Sequence, residues 1–227
     1  STTNEASVTA STVNGEVPYT FFDDTVFVGD SVSLKLNLYV SAQRKIDSTF
    51  MGTAQFLTPG SYGTGNELKE LGSENSVHPS YNGTEMYLAD AIEAMGAKKV
   101  FIMLGMNDIA VYGNDGAVKN METVLAQIKE KNPDTLYLDG GDFSMGTLIQ
   151  TVYETEAAEL RMLGYLGCDV TTWGNHEFDY RSSGLANMLN TAKASGENVP
   201  SLVVCNVDWS AMEKAGLTEG QQQIKDA

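Results

Sequence analysis

The sequence has only two histidines, His78 and His176, and two cysteines, Cys168 and Cys205, in 227 residues. Two cysteines do not make a disulfide framework. Each lies at one end of a different strand candidate, too far apart for a bridge if the strands are parallel neighbours, so two free and mostly buried thiols are expected. Basic residues are scarce too. Lys and Arg total 14 against 30 for Asp and Glu, a formal charge of -16. Phosphate backbones and anionic membrane surfaces are bound through clustered Lys and Arg, so nucleic acid is not expected as a partner. No apolar run approaches the roughly 18–20 residues that span a bilayer, so membrane insertion is not expected either.

What is present supports a folded chain. Apolar residues make up 42% and charged residues 19%, enough for a sizeable core. The length suits one large α/β domain or two small ones. Residues 1–18 read as a flexible tether, because the first sixteen are almost all small or polar. With the acidic balance, that composition points to an exported or cell-surface protein. Beyond it, strand candidates at Thr25–Val28, Ser48–Ala54, Lys99–Leu104, Leu136–Asp139, Asp169–Trp173 and Ser201–Asn206 alternate with helical spacings. Leu34 and Leu38, then Met121, Val124, Leu125 and Ile128, then Ala157, Leu160 and Leu163, then Leu185, Leu189 and Ala192 mark the helices. The β-α-β-α order predicts an α/β fold, a three-layer α/β/α sandwich on a mainly parallel sheet of five to six strands. Such sheets bind ligands at the carboxyl ends of their strands.

The chemistry-bearing residues sit at those ends. Val28-Gly29-Asp30-Ser31 closes the first strand and opens a helix. A serine on that turn is exposed, with its own N–H at a helix N-terminus, which suits a nucleophile; it equally suits a helix cap. Gly105-Met106-Asn107-Asp108 follows the Lys99–Leu104 strand. With Gly-Asp-Ser and with Ser76-Val77-His78-Pro79, this stretch over residues 19–133 resembles the SGNH (GDSL) hydrolases, esterases and acyl hydrolases on a flavodoxin-like sheet. The resemblance implies Ser31 as nucleophile and Asn107 as an oxyanion donor. It implies Gly60, or alternatively Gly52, as a backbone donor, with no cofactor required. That family brings its base in an Asp-x-x-His segment, which this sequence lacks. His78 lies in the wrong segment and reads as a loop histidine capping backbone groups.

Further on the pattern changes. Leu138-Asp139-Gly140-Gly141-Asp142-Phe143 and Trp173-Gly174-Asn175-His176-Glu177-Phe178-Asp179-Tyr180 look like the calcineurin-type metallophosphoesterase domain of 5'-nucleotidases over residues 128–209. That resemblance implies metal ligation by Asp142 and Asn175, transition-state stabilisation or leaving-group protonation by His176, and a divalent metal (Mn, Zn or Mg) as cofactor. It implies a small nucleotide substrate where the first half implies a small-molecule ester. Two histidines, one of them misplaced, nearly exclude the family's complete two-metal centre, which uses several histidine ligands. One hard cation on Asp142, Asn175 and a stray carboxylate, or no metal at all, are the readings left.

The changeover falls within Ile128–Thr135, so the chain reads as chimera-like: residues 19–133 SGNH-like and 134–227 metallophosphoesterase-like, packed into one sheet. In that arrangement Ser31, Asn107, Asp142 and His176 all follow strand ends, and His176 becomes a candidate base for Ser31, oriented by Asp142 or Asp179. Three readings follow: a weak or silent serine esterase half-site, a metal-dependent phosphoesterase fragment, and a non-catalytic scaffold with relic motifs.

Overall fold

A computed structural model describes residues 17–144, 148–204 and 207–227. Residues 1–16 of the tether expected over 1–18, together with Cys205 and Asn206, lie outside the described residues. The chain divides into two compact units, with the boundary between Lys131 and Asn132.

In the first unit, β1 (Thr25–Gly29) leads into α1 (Ser31–Gln43), followed by β2 (Gln55–Leu57) and the single-turn α2 (Thr64–Glu67). The hairpin β3 (Ser80–Tyr81) and β4 (Thr84–Glu85), α3 (Leu88–Met95), β5 (Lys99–Met103) and α4 (Met106–Lys131) complete it. The strands β2, β1 and β5 form a parallel sheet in that order, with Val28 paired to Leu57 on one side and to Ile102 on the other. The Val26-Phe27-Val28 run of β1 is apolar throughout, and its Val26 and Val28 face lies against helices α3 and α4. Val26 and Val28 are buried with Leu57, Tyr62, Leu88, Ala91 and Val124 in one core. Burying each large side chain stabilises the fold by about 1.5–3 kcal/mol. On the opposite face Phe27 stacks on Phe56 and on Phe101, at centroid distances of 5.3 and 5.0 Å.

The second unit holds α5 (Tyr153–Glu156), α6 (Ala158–Tyr165), β6 (Val170–Thr171), α7 (Arg181–Ser195), β7 (Ser201–Leu202), α8 (Trp209–Ala215) and α9 (Glu219–Asp226). β6 and β7 pair in parallel, and Leu138 adds a parallel bridge to Val170. Tyr153, Leu160, Leu185, Met188 and Ile224 form its core.

The architecture is α/β with parallel pairing, as expected, but its sheets are smaller than the five to six strands read from the sequence. Ser48–Ala54 is a run of turns, not a strand. Met51 and Gly52 take left-handed backbone angles (φ 55° and 52°). The guanidinium of Arg44 reaches the carbonyls of Phe50, Met51, Gly52 and Ala54 at 2.9–3.3 Å, giving those groups a partner other than a neighbouring strand. Leu136–Asp139 contributes only its bridge, and the two later strands shrink to two residues each. Cys168 is free and buried, its Sγ 3.6 and 3.3 Å from the carbonyl oxygens of Tyr137 and Val170. No helix among the described residues is long and apolar enough to cross a membrane.

Candidate functional site

The strand order β2-β1-β5 contains a topological switch point. The chain winds from β1 to β2 and then crosses back to β5, so direction reverses between β1 and β5. A crevice opens at the carboxyl ends of such a pair. Ser31 lies two residues beyond β1, Asn107 four beyond β5, and Gly60 three beyond β2 on the other flank. Ser31 is exposed at the first position of α1. The cap of that helix is Asp30, buried at 4% exposure, whose Oδ1 accepts the N–H of Val32 at 2.8 Å. The capping role considered for Ser31 is thus filled by its neighbour.

Asn107 donates its side-chain amide to the carbonyl of Tyr62 at 2.8 Å. Asp108, which the sequence reading passed over, is 1% exposed and accepts the N–H groups of Thr64 and Gly65 at 2.9 and 2.6 Å. Together these two residues bolt the loop after β2 to the loop after β5. A Cβ on Gly63 would lie 2.8 Å from Asp108 Oδ2, so this glycine is required by close approach. Gly60 is exposed with open space around it, while Gly52 precedes β2 and packs beside Asp23 and Tyr19. The signal that could have found Asp108 is its place beside Asn107 at a strand end.

His78 caps no backbone group. It is 4% exposed, edge-on to Tyr87 at 5.2 Å, with Nδ1 3.4 Å from Glu67 Oε2 and neither ring nitrogen in a well-formed hydrogen bond. Glu67, also buried, accepts from Tyr62 Oη at 2.8 Å and from Leu88 N–H at 2.5 Å. Burial pushes its carboxyl above the usual range, against the lowering effect of those bonds.

In the second unit the two motif loops interlock. Asp142 Oδ1 accepts the backbone N–H of His176 at 3.0 Å. Glu177, fully buried, accepts N–H groups from Asp142 (3.0 Å), Ser144 (3.2 Å) and Gly174 (2.6 Å). A Cβ on Gly141 would lie 2.6 Å from Gly174 N, and one on Gly174 would lie 2.0 Å from Asp142 Oδ1. Only glycine permits this approach at either position. Asp139 holds the preceding turn through Gly141 N–H and Thr171 Oγ1 at 2.9 and 2.7 Å. His176 Nδ1 lies 2.9 Å from Asp179 Oδ2, and that hydrogen bond raises the imidazole above its ordinary range. Of the two acids considered as orienting the ring, Asp179 does so; Asp142 meets the backbone instead.

The metal expectation fares differently. Asp142 and Asn175 are both exposed, and Asp142 already spends an oxygen on His176 N–H. Among the described residues no three His, Cys, Asp or Glu side chains converge to hold an ion. Two oxygen donors fall short of what a two-metal centre requires, so the residues present do not fit that group.

No family model matches the chain, and no solved structure does. Curated proteins do match part of it. The 5'-nucleotidase of Mus musculus is 40% identical over 75 residues, 33% of this chain and 13% of that protein. The 5'-nucleotidase of Bos taurus is 41% identical over the same length and shares. The trifunctional nucleotide phosphoesterase protein YfkN of Bacillus subtilis is 32% identical over 81 residues, 36% of this chain and 5% of that protein. The chain therefore spans only a small part of the length of these relatives. A partial likeness to nucleotide phosphoesterases stands; none of these matches is to an SGNH hydrolase.

Proposed function

We propose that the chain carries part of a nucleotide phosphoesterase centre, with the phosphate monoester of a nucleotide as its ligand. The observation that supports this reading most is the pairing of His176 with Asp179 on the interlocked loops, in a chain that shares a third of its length with 5'-nucleotidases. The Asp179 hydrogen bond favours the cationic form of the imidazole, and in that form the ring donates a charge-assisted hydrogen bond to a phosphoryl oxygen and can pass a proton to the departing oxygen. No step is assigned to a metal, and turnover by these residues alone is slow or absent. Calorimetric titration with AMP tests the reading. AMP is expected to bind the parent and to bind His176→Ala at least about tenfold more weakly, the loss typical of one charged hydrogen bond. Equal affinities, or no binding to either protein, would overturn it.

A second reading rests on a different observation, the placement of Ser31, Asn107 and Gly60 beyond the carboxyl ends of three adjacent strands. It assigns Ser31 as the nucleophile of an SGNH-type esterase half-site acting on a small ester without a cofactor. Within the first unit the imidazole of His78 is buried beside Glu67, and among the described residues no hydrogen bond joins the Ser31 hydroxyl to a base, so weak turnover is the expectation. Intact-mass labelling with a fluorophosphonate checks this: an adduct lost in Ser31→Ala supports it. A folded protein without an adduct rejects the reading.

A further inference from the structure

We propose that Glu177 is the positioning residue of the phosphate site: its carboxylate sets the loop Gly141–Ser144 against the loop Gly174–His176, and nucleotide affinity depends on it. This rests on the phosphoesterase reading and concerns a residue to which neither resemblance assigns a role.

A carboxylate withdrawn from water is costly unless its lone pairs are filled. Glu177 is fully buried, and three backbone N–H groups occupy most of them. The donors come from both loops. Oε2 takes Asp142 N–H at 3.0 Å and Gly174 N–H at 2.6 Å, while Oε1 takes Ser144 N–H at 3.2 Å. One side chain therefore fixes the backbone on either side of the Asp142 to His176 contact. Tyr153 Oη holds Glu177 in turn, donating to its carbonyl at 3.0 Å. Glu159 supplies the contrast in the same unit: it is 9% exposed, and neither carboxylate oxygen has a hydrogen-bond partner. A glutamine at 177 keeps the shape but must present an NH₂ to at least one backbone N–H, so the clamp loosens without leaving a cavity.

The experiment measures AMP affinity by calorimetry on the full chain, with circular dichroism to confirm folding. Glu177→Gln is expected to weaken AMP at least about tenfold, and Glu159→Gln to leave affinity within about twofold, because that carboxylate makes no hydrogen bond to either loop. In a His176→Ala background, Glu177→Gln is expected to cost no more than about twofold further, since residues acting as one unit are not additive. A role in folding alone would move the melting temperature but not this coupling. If Glu177→Gln does not fold, Tyr153→Phe carries the test, with about a threefold loss expected from one neutral hydrogen bond. A folded variant that binds AMP as the parent does overturns the positioning role and leaves the phosphoesterase reading standing. A parent that binds no AMP overturns both.

Discussion

Buried acids and thiols set much of the behaviour at the scale of single residues. Glu67 has its carboxyl raised by burial, so the folded state holds that proton more tightly than the unfolded chain does. Its contribution to stability is present below the unfolded value, near pH 4.3, and is lost as pH rises through the folded value. Glu67→Gln is expected to flatten the dependence of melting temperature on pH above about 4.3, measured by scanning calorimetry. His176 shows the same sign in a different window. Asp179 raises it, so the pair stabilises the fold fully below about pH 6.5 and fades as pH rises through the folded value. A proton NMR titration should show one imidazole, absent in His176→Ala, titrating above that reference. Cys168 is buried and its thiol is pushed up to about 11. Because the thiolate is the nucleophile, iodoacetamide at pH 7 should leave Cys168 unmodified in the native protein and label it on denaturation, as read by peptide mass.

At the scale of elements, the close approach of the two motif loops is the feature most exposed to mutation. Gly174→Ala places a methyl where Asp142 Oδ1 stands, and a destabilisation of about 1–3 kcal/mol, the cost of overpacking, should appear in urea unfolding. The sequence was uneven in what it disclosed here. β1 and β5 were legible because runs such as Val26-Phe27-Val28 are β-branched or aromatic without interruption, and both strands form within one residue of the expected bounds. α7 was legible from Leu185, Leu189 and Ala192, its helical spacing ending at Gly196 in the left-handed conformation. Ser48–Ala54 misled, because its apolar residues match a strand while Arg44, outside the window, redirects its carbonyls. The motif loops were legible as residues but not as geometry. Nothing in the spacing of Glu177 shows that three N–H groups from a segment 33–35 residues earlier and from Gly174 meet its carboxylate.

For the molecule as a whole, two features dominate: separate cores and a large negative charge. One core gathers Val26, Leu88 and Val124, the other Tyr153, Leu185 and Met188, on either side of the Lys131–Asn132 boundary. Unfolding of such a chain need not be two-state, and the calorimetric enthalpy is expected to exceed the van't Hoff value. The charge of -16 repels itself in the compact state, and salt screens it with a Debye length of about 10 Å at 0.1 M. The melting temperature should therefore rise between 20 and 200 mM NaCl, over which the Debye length shortens about threefold; a fall would show that the ion pairs outweigh the net repulsion.

The Arg44 clasp has a consequence for proteolysis. An endoprotease that reads basic side chains must draw the guanidinium into its own pocket before it can cut, and at Arg44 that group is already spread over four carbonyls of the following turns. Its neighbour Lys45 is exposed. Two adjacent basic residues, alike as written letters, thus become unlike as cleavage sites: native digestion should open the chain after Lys45 and spare the bond after Arg44 until the turns let go.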